Sequence, residues 1–286
     1  MDILYQIRSC LGFLSAGEAR VARLMLDDVG FAADASLDEL ARRADVSAAT
    51  LSRFARSVGC RDLRQLRLQL AQASAVGSRF LDPAGAPAQS GFYRQIVGDI
   101  ESALHQHLAG FDEARFADAV RLLGRARMIH AFGAGGCSTL CSDELQVRLV
   151  RLGYPIAACH DPVMMRVTAA ALGPQHAVIA CSLSGITPEL LEAVTLARSY
   201  GAGVLAITLP DSPLAQLADV VLALHSAETA FIYKPTAARY GMLLAVDVLA
   251  TELALALPDD NQERLRRIKL ALDHYRGGDD CLPLGD

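Results

Sequence analysis

Two short loops and one run of arginines hold most of the reactive or binding chemistry in this 286-residue sequence. In Ser182-Leu183-Ser184-Gly185-Ile186-Thr187-Pro188-Glu189, three hydroxyls and a glycine precede a proline. Glycine lets a backbone approach an anion, free N–H groups at a helix start carry partial positive charge, and hydroxyls add donors. Such a loop suits a phosphate. Chance helix capping accounts for one of Ser182, Ser184 and Thr187, not for three. A second stretch, Phe132-Gly133-Ala134-Gly135-Gly136-Cys137-Ser138, has two readings: a tight strand-to-helix turn, or another anion cradle. It is not a dinucleotide fingerprint, because Gly-x-Gly-x-x-Gly would need glycine where Ser138 stands. From Arg42 to Arg67, the arginines 42, 43, 53, 56, 61, 64 and 67 face only Asp45 and Asp62. The segment is strongly basic inside a chain whose net charge is -5.

Both loops need strands behind them. Short, wholly apolar runs occur at Met128–Gly133, Pro155–Cys159, Ala177–Ser182, Val204–Thr208 and Val220–Leu224. Strands covered on both faces read this way in a parallel sheet. The intervening segments are long enough for crossover helices. Three begin with a cap and a proline at the first helical position: Asp161-Pro162, Thr187-Pro188 and Ser212-Pro213. Five such units predict a doubly wound α/β domain with a five-stranded parallel sheet. Both hydroxyl loops then lie at carboxyl ends of strands, where open α/β sheets bind ligands.

The arginine run needs helices. Ser15-Ala16-Gly17-Glu18 and Ser36-Leu37-Asp38-Glu39 are capping boxes. Ser36 opens a helix over Leu37–Ala44, Asp45-Val46-Ser47 turns, and Ser47 caps a second helix over Ala48–Val58, which Gly59 ends. A basic helix follows over Asp62–Ala73. Helix, tight turn, helix is the form that lays its second helix in the DNA major groove. Leu51, Phe54, Ala55 and Val58 share one face and should pack inward. Ser47, Ala49, Thr50, Ser52, Arg53 and Arg56 remain outside, with Arg42 on the preceding helix. Arginine can bond guanine bidentately, and Ser and Thr can reach phosphates or base edges.

Composition divides the chain. Residues 1–80 are mildly basic and the remainder is acidic. Residues 78–91, rich in proline, glycine and small residues, read as a linker. The expected organisation is an all-α domain over 1–77, the linker, and an α/β domain over 92–286. Hydrophobic residues make up 52%, enough for two cores. The start lacks a basic region followed by an apolar run, so a secretory signal is not expected. Gly241–Leu257 is interrupted by Asp247, Thr251 and Glu252 and reads as a buried helix rather than a membrane span. Seven cysteines, an odd number without Cys-x-x-Cys spacing, read as reduced thiols in a cytoplasmic protein. A redox pair at Cys137 and Cys141, one helical turn apart, is the other reading.

Catalysis is the rival to binding. A sugar isomerase needs a base beside a carbonyl and an acid for ring opening. Glu189 lies near the second loop, and His105, His107, His160, His176 and His225 are scattered. Glu189, however, falls in a helix first turn, where a carboxylate serves the dipole. No Glu–His pair has a catalytic spacing, no cluster has metal-ligand spacing, and no cofactor is expected.

The second loop resembles the Ser-x-Ser-Gly-x-Thr motif of SIS (sugar isomerase) domains. Val46-Ser47-x-x-Thr50-Leu51-Ser52-Arg53-Phe54 resembles the helix-turn-helix of RpiR/MurR-type regulators, and the order of domains matches. Asp247-x-Leu249-Ala250 and Ile232-Tyr233-x-Pro235 are similar to the branch that regulates sugar-acid metabolism. The resemblance implies a repressor-type regulator that binds palindromic double-stranded operator DNA as a homodimer or tetramer. Its effector would be a phosphosugar or phosphorylated sugar acid, with 2-keto-3-deoxy-6-phosphogluconate or 6-phosphogluconate favoured. Ser182, Ser184, Gly185 and Thr187 would then hold the phosphate, and Ser138 with the backbone of Gly135 and Gly136 would close from the other side. The sequence departs from the family here: Cys137 takes the usual serine place and Ser138 comes one later. For a carboxylate, Arg239 is the first choice of partner, with Lys234 and Arg148 as the others.

Overall fold

The computed structural model describes residues 2–75, 91–226 and 236–276, which divide between two units. Most of the expected linker, the segment Ile232–Pro235 and Lys234 lie outside the described residues.

Among its described residues, the first unit holds six α-helices: α1 (Ile3–Cys10), α2 (Ala16–Asp27), α3 (Val29–Asp34), α4 (Leu37–Arg43), α5 (Ala48–Ser57) and α6 (Leu63–Ser74). Both capping boxes form. Glu18 and Glu39 each reach back to the N–H of the serine that caps them, at 3.0 and 2.8 Å. The serine hydroxyls, which also donate to these carboxylates, and then the backbone N–H bonds hold both carboxyls below the usual carboxylate range. Ile7, Met25, Leu40, Leu51, Phe54, Leu66 and Leu70 form one core drawn from five of the helices. Short helices of this length are marginal alone, so this shared burial is what fixes them.

The second unit begins with α7 (Phe92–Gly110) and α8 (Glu113–Gly124). Five βα-type steps follow: β1 (Met128–Phe132), α9 (Gly136–Arg151), β2 (Ile156–Cys159), α10 (Pro162–Ala170), β3 (His176–Cys181), α11 (Pro188–Ser199), β4 (Gly203–Thr208), α12 (Pro213–Leu217), β5 (Val220–Ala223) and α13 (Ala238–Ala256). Helix α14 (Pro258–Tyr275) closes the described chain. The sheet order is β2-β1-β3-β4-β5 and every pairing is parallel. Alternate strand residues feed opposite layers. Ile129, Ile179 and Leu205 pack with α8, α9 and α13, while Val178, Ala180 and Val204 pack with α10, α11 and α12. The expected doubly wound fold and all five strands are present. Helix α9 starts at Gly136 rather than near Ser138. Among the described residues, no single helix is long and apolar enough to cross a membrane.

His107 is wholly buried between α7 and α13. Its Nε2 accepts the His225 backbone N–H at 3.0 Å, and its Nδ1 lies 2.6 Å from the Ala103 carbonyl. That arrangement needs the neutral ring with the proton on Nδ1. Burial pushes its pKa below the ordinary value of 6.5, against the pull of the Ala103 carbonyl. His130 is lowered in the same way, first by burial and then by His176. As pH falls through the unfolded histidine range, the unfolded chain takes up protons that the folded chain refuses. Stability should therefore fall from pH 7.5 toward 5.5, by at most about 1.4 kcal/mol per pH unit for each group. Urea unfolding across that range checks it. In His107→Gln the slope should shrink; an unaltered slope would assign the effect to other groups.

Candidate functional site

In the first unit, the turn between α4 and α5 is the element that aims α5. Asp45 adopts φ 51°, a left-handed conformation that Asp tolerates better than most residues. Arg20 of α2 holds the turn, donating from Nε to the Ala44 carbonyl at 3.1 Å and from its guanidinium to the Asp45 carbonyl at 2.7 Å. No local spacing could have exposed Arg20, because its partners lie 24 and 25 residues away. Ser47 caps α5, accepting the Thr50 N–H at 3.3 Å.

Leu51, Phe54, Ala55 and Val58 face the core as expected. Ser47, Ala49, Arg53 and Arg56 are exposed, and Ser52 is half-buried. Thr50 is a correction: it is buried rather than outward. A Cβ added at Gly17 would meet the Thr50 methyl at 3.2 Å, so a glycine on α2 makes room for it. Its hydroxyl lies 3.1 Å from the Ser47 hydroxyl and accepts from the Arg53 guanidinium at 3.2 Å. Thr50 thus orients Ser47 and Arg53 from beneath. Arg42 and its neighbour Arg43 are not equivalent. Arg43 stacks on the Phe31 ring at 4.2 Å and approaches Asp28 at 4.0 Å, whereas Arg42 is exposed.

In the second unit, the strand order reverses direction between β1 and β3, which makes the crevice at their carboxyl ends the switch point where such folds bind ligands. The two hydroxyl loops flank it. Ser182 is buried, and its hydroxyl accepts the Gly185 N–H at 3.0 Å and lies 3.4 Å from the Thr187 hydroxyl. Ser184 is exposed and Thr187 half-buried. Ser182 therefore shapes the loop, while Ser184 and Thr187 border the open side. Gly185 has φ 67°, and a Cβ there would meet Ser212 Oγ at 2.2 Å and Thr208 Oγ1 at 2.6 Å. Thr208 and Ser212, themselves 3.2 Å apart, buttress the loop from β4. Sequence spacing marks Ser212 only as a helix cap and does not single out Thr208, because their link to the loop crosses from one strand to the next.

The first loop contains Gly135 and Gly136, both at positive φ. This pair in left-handed conformation brings the start of α9 forward. A Cβ on Gly133 would strike the Ser138 carbonyl at 2.2 Å, so backbone contact requires that glycine. Ser138 is buried in the first turn of α9. Cys137 turns toward α13, with its Sγ 3.5 Å from Met242 Sδ. The Gly133 carbonyl lies 3.1 Å from His160 Nδ1, and His160 Nε2 lies 2.8 Å from the Asp143 carboxylate. His160 thus ties the loop to α9. Glu189 is exposed on the first turn of α11.

The helices that follow β1 to β4 differ in their caps, and α13 after β5 has no side-chain cap. Asp161 caps α10 and Ser212 caps α12 through their side chains. Helices α9 and α11, on either side of the switch point, have no side-chain cap. Pro188 gives α11 no N–H at its first position and the Ser138 N–H bonds the Gly135 carbonyl at 3.2 Å, which leaves Gly136 of α9 and Glu189 and Leu190 of α11 with N–H groups that no side chain caps and a positive dipole end behind them.

Arg239 is half-buried and stacked on Tyr240, 4.8 Å from the ring centroid. Its charge favours the Cys137 thiolate, although burial wins and pushes that thiol up. Arg148 is engaged by Glu144 at 2.6 Å and Asp247 at 3.6 Å. Cys181 is pushed well up by its contact with the Cys141 thiol and by burial. Raised in this way, the Cys137 and Cys181 thiols are poor nucleophiles.

Residues 1–77 match the helix-turn-helix domain of the rpiR family, and residues 123–252 match the SIS domain. The chain is 35% identical to the HTH-type transcriptional regulator HexR of Pseudomonas aeruginosa, over 95% of each chain. It is 30% identical to HexR of Escherichia coli, over 100% of this chain and 99% of that one. Its fold is similar to that of the Vibrio vulnificus NanR protein complexed with ManNAc-6P, with a TM-score of 0.60, 23% identity, and coverage of 94% of this chain and 98% of that one.

Proposed function

The chain belongs to the rpiR family of helix-turn-helix transcription regulators that carry a SIS domain, with HexR among its relatives, and on that premise we propose that its DNA binding answers to a phosphorylated sugar acid. The observation that carries this reading is the pair of uncapped helices at the switch point. An anion between α9 and α11 would receive N–H groups from both, with Ser184 and Thr187 as hydroxyl donors and Ser182 and Gly185 holding the loop. Backbone N–H groups of Gly135 and Gly136 and the buried Ser138 form the opposite wall. NanR, whose structure holds a sugar phosphate, supports the ligand class by its similar fold. The resemblance to sugar-acid regulators favours 2-keto-3-deoxy-6-phosphogluconate or 6-phosphogluconate. Arg239 is the choice for the carboxylate, since Arg148 is already paired with acids.

On DNA, Arg53 and Arg56 would read base edges, with Ser47, Ala49 and Ser52 beside them and Arg42 on the backbone. Thr50 supports from below. Two chains about a two-fold axis would present two such helices to a palindromic operator, as a dimer or a pair of dimers in the cytoplasm. The effector must favour one arrangement of the heads over another by about 1–3 kcal/mol to change occupancy usefully.

A thermal-shift screen against phosphorylated sugars and sugar acids tests the site, because a ligand bound only to the folded state raises the melting temperature with concentration. The 6-phosphogluconate shift should disappear in a Ser182→Ala, Ser184→Ala double variant that still binds DNA. A parent-sized shift in that variant would place the phosphate elsewhere.

A further inference from the structure

The arginines beyond α5 are not absorbed by the recognition helix. Arg61, Arg64 and Arg67 border a groove of about 920 Å³ in the first unit, walled by Leu37, Leu63 and Leu68. Arg61 follows directly on the turn that ends α5, and Arg64 and Arg67 lie one turn apart on α6. Leu37 opens α4, the helix that braces α5.

Of the three guanidiniums, only Arg61 pairs with an acid among the described residues, and that pair is exposed. The Arg61 side chain is 87% exposed and stands 3.5 Å from Asp62, whose carboxylate already accepts the Gln65 N–H at 2.8 Å as the cap of α6. Arg64 is exposed and forms no ion pair with a described residue. Arg67 is half-buried. Its guanidinium makes long bonds to the Ala33 and Asp34 carbonyls, at 3.5 and 3.4 Å, and its buried Nε–H has no partner among the described residues. A buried donor without an acceptor is costly.

We propose that Arg61, Arg64 and Arg67 form a clamp for the DNA sugar-phosphate backbone next to the recognition helix. Half to two-thirds of protein–DNA hydrogen bonds go to phosphate and sugar, and they fix the register in which base contacts are made. Arg53 and Arg56 supply base-reading groups but not that framework. The clamp rests on the DNA-binding reading and extends it: α5 reads sequence, whereas the start of α6 supplies sequence-independent affinity. Phosphate oxygens would fit three cations lining one groove. The leucines would limit water around the contact.

The test is salt dependence. Full-length Arg61→Gln, Arg64→Gln protein is compared with the parent on two duplexes of equal length. One is selected by the parent from a randomised pool and the other is unrelated. Each lost phosphate contact lowers the magnitude of the slope of log K against log salt by about 0.9. The double variant should lose about 1.8, so that a fourfold rise in salt costs it about twelvefold less affinity than it costs the parent. Both duplexes should weaken by the same factor, and the melting temperature should match the parent. Arg125→Ala, an exposed arginine of the second unit, should leave the slope unchanged. The single Arg64→Gln variant should show half the effect, which separates the clamp from any folding defect in the double variant. A parent-like slope, or a loss confined to the selected duplex, would overturn the clamp while the DNA-binding reading stood. A parent that bound neither duplex would overturn both.

Discussion

Gly185→Ala should destroy the metabolite response and destabilise the second unit while leaving DNA recognition in the first unit intact. Two costs arise from one methyl group. The backbone at φ 67° is left-handed, which costs an L-residue roughly 1–2 kcal/mol. The new Cβ would also sit 2.4 Å from Ser212 Cβ and 2.6 Å from Thr208 Oγ1, both on a buried wall that cannot swing aside. Overpacking of this kind typically costs about 1–3 kcal/mol more. The loop can relieve it only by pulling away from β4, which breaks the Leu214 N–H bond to the Gly185 carbonyl at 3.1 Å and the Gly185 N–H bond to Ser182. The measurement is a melting curve with and without 6-phosphogluconate. The variant should melt earlier and show no ligand shift, where a ligand at a hundred times its Kd would give the parent about 2.7 kcal/mol. Adding Ser212→Ala should not rescue it, because the Ser212 Cβ remains. A full ligand shift in Gly185→Ala would show that the loop does not hold the phosphate.

Local rules made much of this legible. Ser15 with Glu18, and Ser36 with Glu39, act within three residues, so sequence alone locates both helix starts. The apolar runs from Met128 to Leu224 locate the strands because burial on both faces leaves no alternation to misread. What escaped depends on contacts made across the fold. Thr50 looks outward on a helical projection of α5 alone, yet Gly17 on α2 opens a space that buries it. Arg20 pins the Ala44–Asp45 turn through carbonyls, which carry no side-chain signature in the sequence. The three hydroxyls of the second loop were read as equal donors. In the fold, the buried Ser182 hydroxyl accepts the Gly185 N–H, whereas Ser184 is exposed and Thr187 half-buried, so the three differ in what they can offer a ligand. The shift at Cys137 has a similar cause. Two left-handed glycines start α9 early and send Cys137 toward Met242.

The Arg53→Ala, Arg56→Ala double variant should retain the fold and lose the operator. Alanine is a better helix former than arginine, and both arginines are exposed, so α5 keeps its inward face of Leu51, Phe54 and Ala55. Among the described residues, the only internal bond lost is that from Arg53 to the Thr50 hydroxyl, which still meets Ser47 at 3.1 Å. Each bidentate arginine–guanine contact discriminates by about 1–3 kcal/mol. Two such contacts amount to about 2–6 kcal/mol, or roughly thirtyfold to twenty-thousandfold in affinity for the selected duplex. The loss should be much smaller on an unrelated duplex, where phosphate contacts dominate. That asymmetry separates the two sets of arginines. Removing α5 arginines should erase sequence preference, whereas removing Arg61 and Arg64 should weaken every duplex alike. Anisotropy titrations on both duplexes, with a melting curve beside them, decide it. A double variant that melts with the parent and binds the selected duplex within threefold of it would mean that α5 does not read the bases.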